Sequence, residues 1–247
     1  MRHLRLMAGT AAAALLIGVP QTQATLLIAG QIGATTFSCV DNNPACDVQF
    51  LTTGTLQLAN QTINGVQING SIQTSTGTPA NPGMNTLNAS SLSLINTTTS
   101  SRTIAFTVGD TDFAGPIDKF FTSGSGTWQT ANGSTITLNW YNDPNNNQGA
   151  ETTTDTPGNL IDTFTDVANG PADSFAHNGS GPISDLGPFS MTLQATGTLV
   201  AGGQLINRGQ TEIKTPAVPE PTSLALLGAA LAGLGAIAGR SRRRKAA

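Results

Sequence analysis

Between Phe189 and Leu199 the chain alternates without interruption. Phe189, Met191, Leu193, Ala195, Gly197 and Leu199 fall on one side of an extended strand, and Ser190, Thr192, Gln194, Thr196 and Thr198 on the other. Successive side chains of a strand point to opposite faces, so a period of two means one buried face and one wet face. The same period recurs at Ile104, Phe106 and Val108, at Ile136, Leu138 and Trp140, and at Leu92 and Leu94. The polar partners are Thr, Ser, Asn and Gln rather than Lys and Glu, a composition that opposes long helices and suits strands and turns. Glycine-rich turns between short strands then point to an all-β fold, a β-sandwich or jelly roll.

Turn chemistry divides the rest. Asn132-Gly133 lies between Gly126-Thr127-Trp128-Gln129 and Ser134-Thr135-Ile136, which predicts a β-hairpin. A three-residue loop, Ala131 to Gly133 with Gly133 at positive φ, sets Trp128 opposite Ile136 on the buried face. Thr78 to Pro82, Asn142 to Pro157 and Asn169 to Pro188 are rich in Pro, Gly, Asn and Asp and read as loops. Thr211 to Val218 reads as an exit linker.

The two ends are of a different character. Met1 to Arg5 is basic, Leu6 to Val19 is apolar, and Thr22 and Ala24 are small residues at cleavage positions. This is the layout of a secretory signal peptide cut after Ala24. At the other end Thr222 to Ala238 is uncharged, and its seventeen residues make roughly 25 Å of helix, a short membrane span. Arg240, Arg242, Arg243, Arg244 and Lys245 follow, and basic flanks stay in the cytoplasm. The residues before Pro219 therefore lie on the outer side of that membrane. The expected division is a signal peptide at 1–24, a β-sandwich ectodomain at 25–210, a linker at 211–218 and a tail at 219–247.

Pro219-Glu220-Pro221, the apolar run and the closing basic cluster together resemble the PEP-CTERM sorting tail, also labelled an ice-binding protein C-terminal domain. That second label describes the tail and not an affinity for ice. An ordinary membrane anchor does not need the Pro-Glu-Pro triplet. The resemblance implies a partner, an exosortase-type membrane transpeptidase, that cuts near the triplet and passes the exported body to the cell surface or beyond. It also implies association with exopolysaccharide and biofilm.

Removing both ends changes the charge. Between 25 and 218 the basic residues are Arg102, Lys119, Arg208 and Lys214, four against thirteen Asp and Glu, which leaves −9 where the whole chain carries −3. Such a body repels nucleic acid and anionic lipid. Cys39 and Cys46 are the two cysteines of the chain, both in the exported part, and an oxidising compartment favours a disulfide between them. Closing so short a loop contributes about 2–3 kcal/mol.

Asp143, Asn145, Asn147 and Glu151 place oxygen atoms at alternate positions and are the candidate calcium ligands; Asp110 and Asp112 form a shorter case. The EF-hand spacing is absent, and a solvated turn competes with calcium for the same residues. Hydrolase motifs of the Gly-x-Ser-x-Gly and His-Glu-x-x-His kinds are missing, and His177 is the body's single histidine. The expectation is a non-enzymatic surface or matrix protein without catalytic residues. The alternative is a carbohydrate-binding module, with or without calcium, for which Trp128, Trp140 and Tyr141 are the aromatics to follow. Alternation places Trp140 in the core and Tyr141 on the wet face.

Overall fold

Asn64 and Gly65 adopt φ of 46° and 75°, and Ile63 pairs directly with Val66 across them. Two consecutive residues at positive φ make the tight turn whose twist matches the flanking strands, and Asn-Gly tolerates it best. This computed structural model describes residues 25–75 and 84–214. Its strands are β1 (Leu27–Ile32), β2 (Thr35–Val40), β3 (Thr55–Ile63), β4 (Val66–Ser75), β5 (Met84–Asn96) and β6 (Arg102–Phe113). They continue with β7 (Ile117–Gln129), β8 (Thr135–Asp143), β9 (Asn159–Val167), β10 (Ala172–Asp185), β11 (Phe189–Leu199) and β12 (Gln204–Lys214).

The strands form two antiparallel six-stranded sheets, β2-β1-β6-β11-β8-β9 and β10-β7-β12-β5-β4-β3, here called the first and second sheet. Among the described residues there is no helix. From β5 onward every connection crosses between the sheets except β8 to β9. Neighbours in a sheet are therefore often distant in sequence, as with β12 between β5 and β7. The inward faces meet in one core that includes Trp128, Trp140, Phe113, Phe189, Leu94 and Ile136. The alternating stretches 189–199, 104–108, 136–140 and 92–94 all lie in strands, with Ile104, Phe106, Ile136, Leu138, Leu193 and Leu94 in that core.

Four expectations need correction. Trp128 and Ile136 are not hairpin partners. β7 belongs to the second sheet, where Trp128 pairs with Asp173 and Leu205, while Ile136 of β8 pairs with Gly197 and Asp166 in the first. Both side chains are buried and Gly133 has φ of 84°, yet the positive φ before it falls on Thr130 and the segment bridges the two sheets. Pairing with β10 and β12 on either side of β7 outweighs the local hairpin signal. The Asn-Gly turn that makes a hairpin is the one at Asn64.

The stretch Asn169 to Pro188 is largely a strand, the fourteen-residue β10. It is an edge strand, so Pro182 removes no required ladder bond, and its weak apolar alternation reflects a half-buried position. Lastly, β12 continues through Thr211 to Lys214, because Thr211 and Ile213 turn fully inward between β5 and β7. The loop after β8 begins beyond Asp143, so Asn142 and Asp143 are strand residues.

Candidate functional site

Both ends of the described chain leave from one end of the sandwich. Ile213 pairs with Asn85, and Asn85 Nδ2 donates to the carbonyl of Ala114, just past the end of β6. The start of β1, Leu27, pairs with Gly109 near the same end of β6. The expected signal-cleavage residue Ala24, the sorting residues Pro219, Glu220 and Pro221, the 222–238 helix and the basic residues Arg240, Arg242, Arg243, Arg244 and Lys245 lie outside the described residues. Among the described residues no helix is long and apolar enough to cross a membrane.

Acidic side chains gather at this end. Cys39 and Cys46 are joined by a disulfide, with Cα atoms 5.8 Å apart. The loop they close carries Asp41 and leads into Asp47. Asp41 accepts hydrogen bonds from the backbone N–H of Asn42 (2.8 Å) and Gly54 (2.7 Å). Asp47 accepts from the N–H of Gln49 (2.8 Å), Gln57 (3.0 Å) and Asn42 (3.2 Å). These carboxylates hold turns together. Asp110 on β6 is 3% exposed. Burial pushes its carboxyl up to about 6, helped by the negative charges of Asp41 and Asp112 and opposed by hydrogen bonds from Thr74 and the Thr111 N–H. Asp41 is raised as well, by burial first and by Asp47 beside it.

The candidate calcium loop spends its carboxylate on itself. Asp143 Oδ1 accepts from the backbone and side-chain N–H of Asn145 (3.0 and 3.2 Å). Oδ2 accepts likewise from Asn147 (3.1 and 2.6 Å). Burial alone would raise this carboxyl, but the four donors together hold it below the usual range. Glu151 is exposed, and its backbone N–H donates to Asp155 (3.1 Å). Asp112, with φ of 62°, exchanges two hydrogen bonds with Asn146. Among the described residues no three His, Cys, Asp or Glu groups gather at metal-binding distance.

His177 is a residue whose setting sequence reasoning missed, because its segment reads as a loop. It lies on β10 facing inward. Its ring stacks on Phe164 (4.8 Å between centroids, 19° between planes), and Trp140 lies 5.5 Å away. Its Nε2 is 2.8 Å from Asp162 of β9, and the Thr122 hydroxyl donates to the same carboxylate oxygen. Asp162 therefore gathers two groups of the opposite sheet. The hydroxyl is bonded to the aspartate and not to the imidazole, which is not the order a nucleophile and its base require. Four residues further along β9, Asp166 accepts from Trp128 Nε1 (2.7 Å). Both contacts tie β9 to the second sheet.

Neither tryptophan is available to a ligand: both are fully buried, and Tyr141 is half-buried. Phe50 is the exposed aromatic among the described residues.

The two outer faces differ. On the first sheet the polar side chains satisfy one another: Asn139 donates to Gln194 (3.1 Å), Thr163 to Asn139 (2.7 Å), and Thr137 and Thr165 lie 3.0 Å apart. The loop after β8 lies over part of this face, held by Thr107 and Gln194, each donating to the Thr153 carbonyl at 2.8 Å. On the second sheet, β3, β4 and β5 contain no charged residue. Register places Asn178, Ser123, Gln210, Asn88 and Gln73 in one outward row across five strands. Their side chains make no hydrogen bond to the described protein. A depression of about 320 Å³ lies along β7 here, lined by Ser123, Ser125, Asn178, Asn88, Arg208 and Gln210 among others.

Residues 217–245 match the family described as the PEP-CTERM protein-sorting motif. No curated protein sequence matches the chain. Among solved structures the chain is similar to TmCBM61 in complex with β-1,4-galactotriose, at 12% identity and a TM-score of 0.29, over 62% of this chain and 90% of that one. It is also similar to the enzymatically active domain of tailspike protein 4 of bacteriophage CBA120, at 13% identity and a TM-score of 0.32, over 70% of this chain and 21% of that one. A third is the carbohydrate-binding module CBM6cm-2 of Cellvibrio mixtus lichenase 5A with cellotriose, at 12% identity and a TM-score of 0.24, over 67% of this chain and 89% of that one. Likenesses this distant carry no argument about ligand or activity.

Proposed function

We propose that this chain, which carries the PEP-CTERM sorting motif at 217–245, is an exported protein handled through its tail by an exosortase-type transpeptidase. The tail holds it in the inner membrane until it is cut near Pro219-Glu220-Pro221, and the sandwich is then released to the cell surface or extracellular matrix. There it serves as a non-enzymatic structural component associated with exopolysaccharide and biofilm. The motif is the observation that carries this reading. Two features of the body agree with it: a disulfide suited to an oxidising compartment, and carboxylates that accept hydrogen bonds from turn N–H groups and from the opposite sheet. The body leaves toward the tail from one end, so a tethered sandwich presents its opposite end and its sheet faces outward.

The test is fractionation and intact mass of the native protein, beside a Pro219→Ala/Pro221→Ala double variant. Wild type is expected to lose the residues after about Pro219, and the variant to accumulate with its tail in the inner membrane. A variant that sheds its tail as wild type does removes the sorting reading.

A second reading is that the sandwich binds carbohydrate. One observation favours it, the outward row Asn178, Ser123, Gln210, Asn88 and Gln73, whose side chains make no hydrogen bond to the described residues. The candidate calcium loop at Asp143 follows β8, in the other sheet.

A further inference from the structure

We infer that the outer face of the second sheet, centred on the row Asn178, Ser123, Gln210, Asn88 and Gln73 with Arg208 beside it, is the binding surface for a neutral polyhydroxylated polymer. This rests on the carbohydrate-binding reading and adds to it a place, a set of residues and a charge class for the ligand.

Strands in a sheet stand ~4.8 Å apart, so a row across five strands spreads its polar groups over roughly 19 Å. That spacing, one hydrogen-bonding side chain per strand, is comparable to one sugar ring per strand. Ser123 and its neighbour Ser125 on β7 are short, and the flanking strands contribute the longer Asn178, Arg208 and Gln210; the result is the depression along β7. An extended chain laid there meets side chains from both banks.

Hydrogen-bond inventory selects the class of ligand. Amides and hydroxyls each donate and accept, as sugar hydroxyls do. The five row residues are unengaged by the described residues, while the matching amides and hydroxyls of the first sheet are bonded to each other and partly covered by the loop after β8. The contrast lies between two faces of one molecule with the same composition.

Charge selects further. β3, β4 and β5 carry no charge, so a polycation finds a carboxylate on this face only outside them, as at Glu212 of β12. A polyanion approaches a body of net −9 and meets the single guanidinium of Arg208 in the row's vicinity. A neutral polymer pays neither cost, and Arg208 offers it a fork of donors. Both tryptophans are buried, and Phe121, two residues from Ser123 on the same face of β7, is half-buried with the Lys119 ammonium 5.0 Å from its ring centre, so stacking contributes little. Affinity for a short oligosaccharide is therefore weak, on the order of millimolar, and rises with polymer length through multivalency.

The test uses the full chain in phosphocholine micelles, titrated with cellohexaose, xylohexaose and maltohexaose as neutral probes and hexagalacturonate as the anionic one. At least one neutral probe is expected to bind, and hexagalacturonate more weakly. Asn88→Ala/Gln210→Ala and Arg208→Ala should each raise its Kd at least fivefold. Asn139→Ala, on the opposite sheet, should leave it within twofold. Binding that survives both variants, or that prefers the anion, overturns this surface while leaving the carbohydrate reading standing. No binding by any probe overturns both, and neither result touches the sorting reading, which the tail variant tests alone.

Discussion

Asp110→Asn should make this protein more stable at neutral pH and no more stable in acid. The carboxyl of Asp110 is 3% exposed and titrates at about 6 instead of 3.8. The folded state therefore binds this proton more tightly than the unfolded chain does. Stability linked to the group is fully present below about pH 4 and is lost as pH rises through about 6. At ~1.36 kcal/mol per unit, the roughly two-unit difference makes the charged form cost about 3 kcal/mol at pH 8. About half of that loss falls between pH 5 and 8. Asparagine removes the charge but keeps an acceptor for the Thr111 N–H and a donor for the Thr74 hydroxyl. Imperfect replacement of those bonds takes back about 1 kcal/mol. The variant should gain about 1–2 kcal/mol at pH 8 and nothing at pH 4.5. Urea unfolding followed by fluorescence reads this directly, because Trp128 and Trp140 are fully buried and both report loss of the core. Asp41 is shifted in the same direction, so a residual slope from it should remain in the variant. If the difference between wild type and variant is the same at pH 4.5 and pH 8, the argument that Asp110 is held charged at a cost is wrong.

Other perturbations follow from the same geometry. Gly65→Ala places a Cβ at φ of 75° and against the Thr98 side chain, and should cost about 1–2 kcal/mol in the unfolding midpoint, whereas Gly133→Ala, with open space around it, should cost less. Reducing the Cys39–Cys46 bond, or Cys39→Ser/Cys46→Ser, should lower stability by about 2–3 kcal/mol, read by the same denaturation. Asp166→Ala leaves the buried Trp128 Nε1 without its acceptor and should cost about 1–3 kcal/mol; Asp166→Asn should cost less, since its amide oxygen still accepts.

Much of the molecule is legible along the chain because it depends on near neighbours. Alternation at 104–108, 136–140 and 189–199 marks strands, since burying one face of a strand requires that period wherever the strand ends up. The Cys39–Cys46 pair and the sorting motif are equally local. Which strands lie side by side is not local. Asn132-Gly133 and Asn64-Gly65 carry the same dipeptide, yet only the second joins partners, because β7 finds β10 and β12 in the other sheet. β10 reads as a loop, since an edge strand can keep Pro182 and several polar inward positions, and His177 acquires its partners Asp162 and Phe164 only when the two edges meet. Nor does the pattern Ser, Thr, Asn, Gln distinguish the two outer faces. On one sheet cross-strand partners such as Asn139 and Gln194 are bonded to each other, and on the other the equally adjacent Gln210 and Asn88 are not. Distances between residues remote in sequence decide that, and they exist only after the sheets have formed.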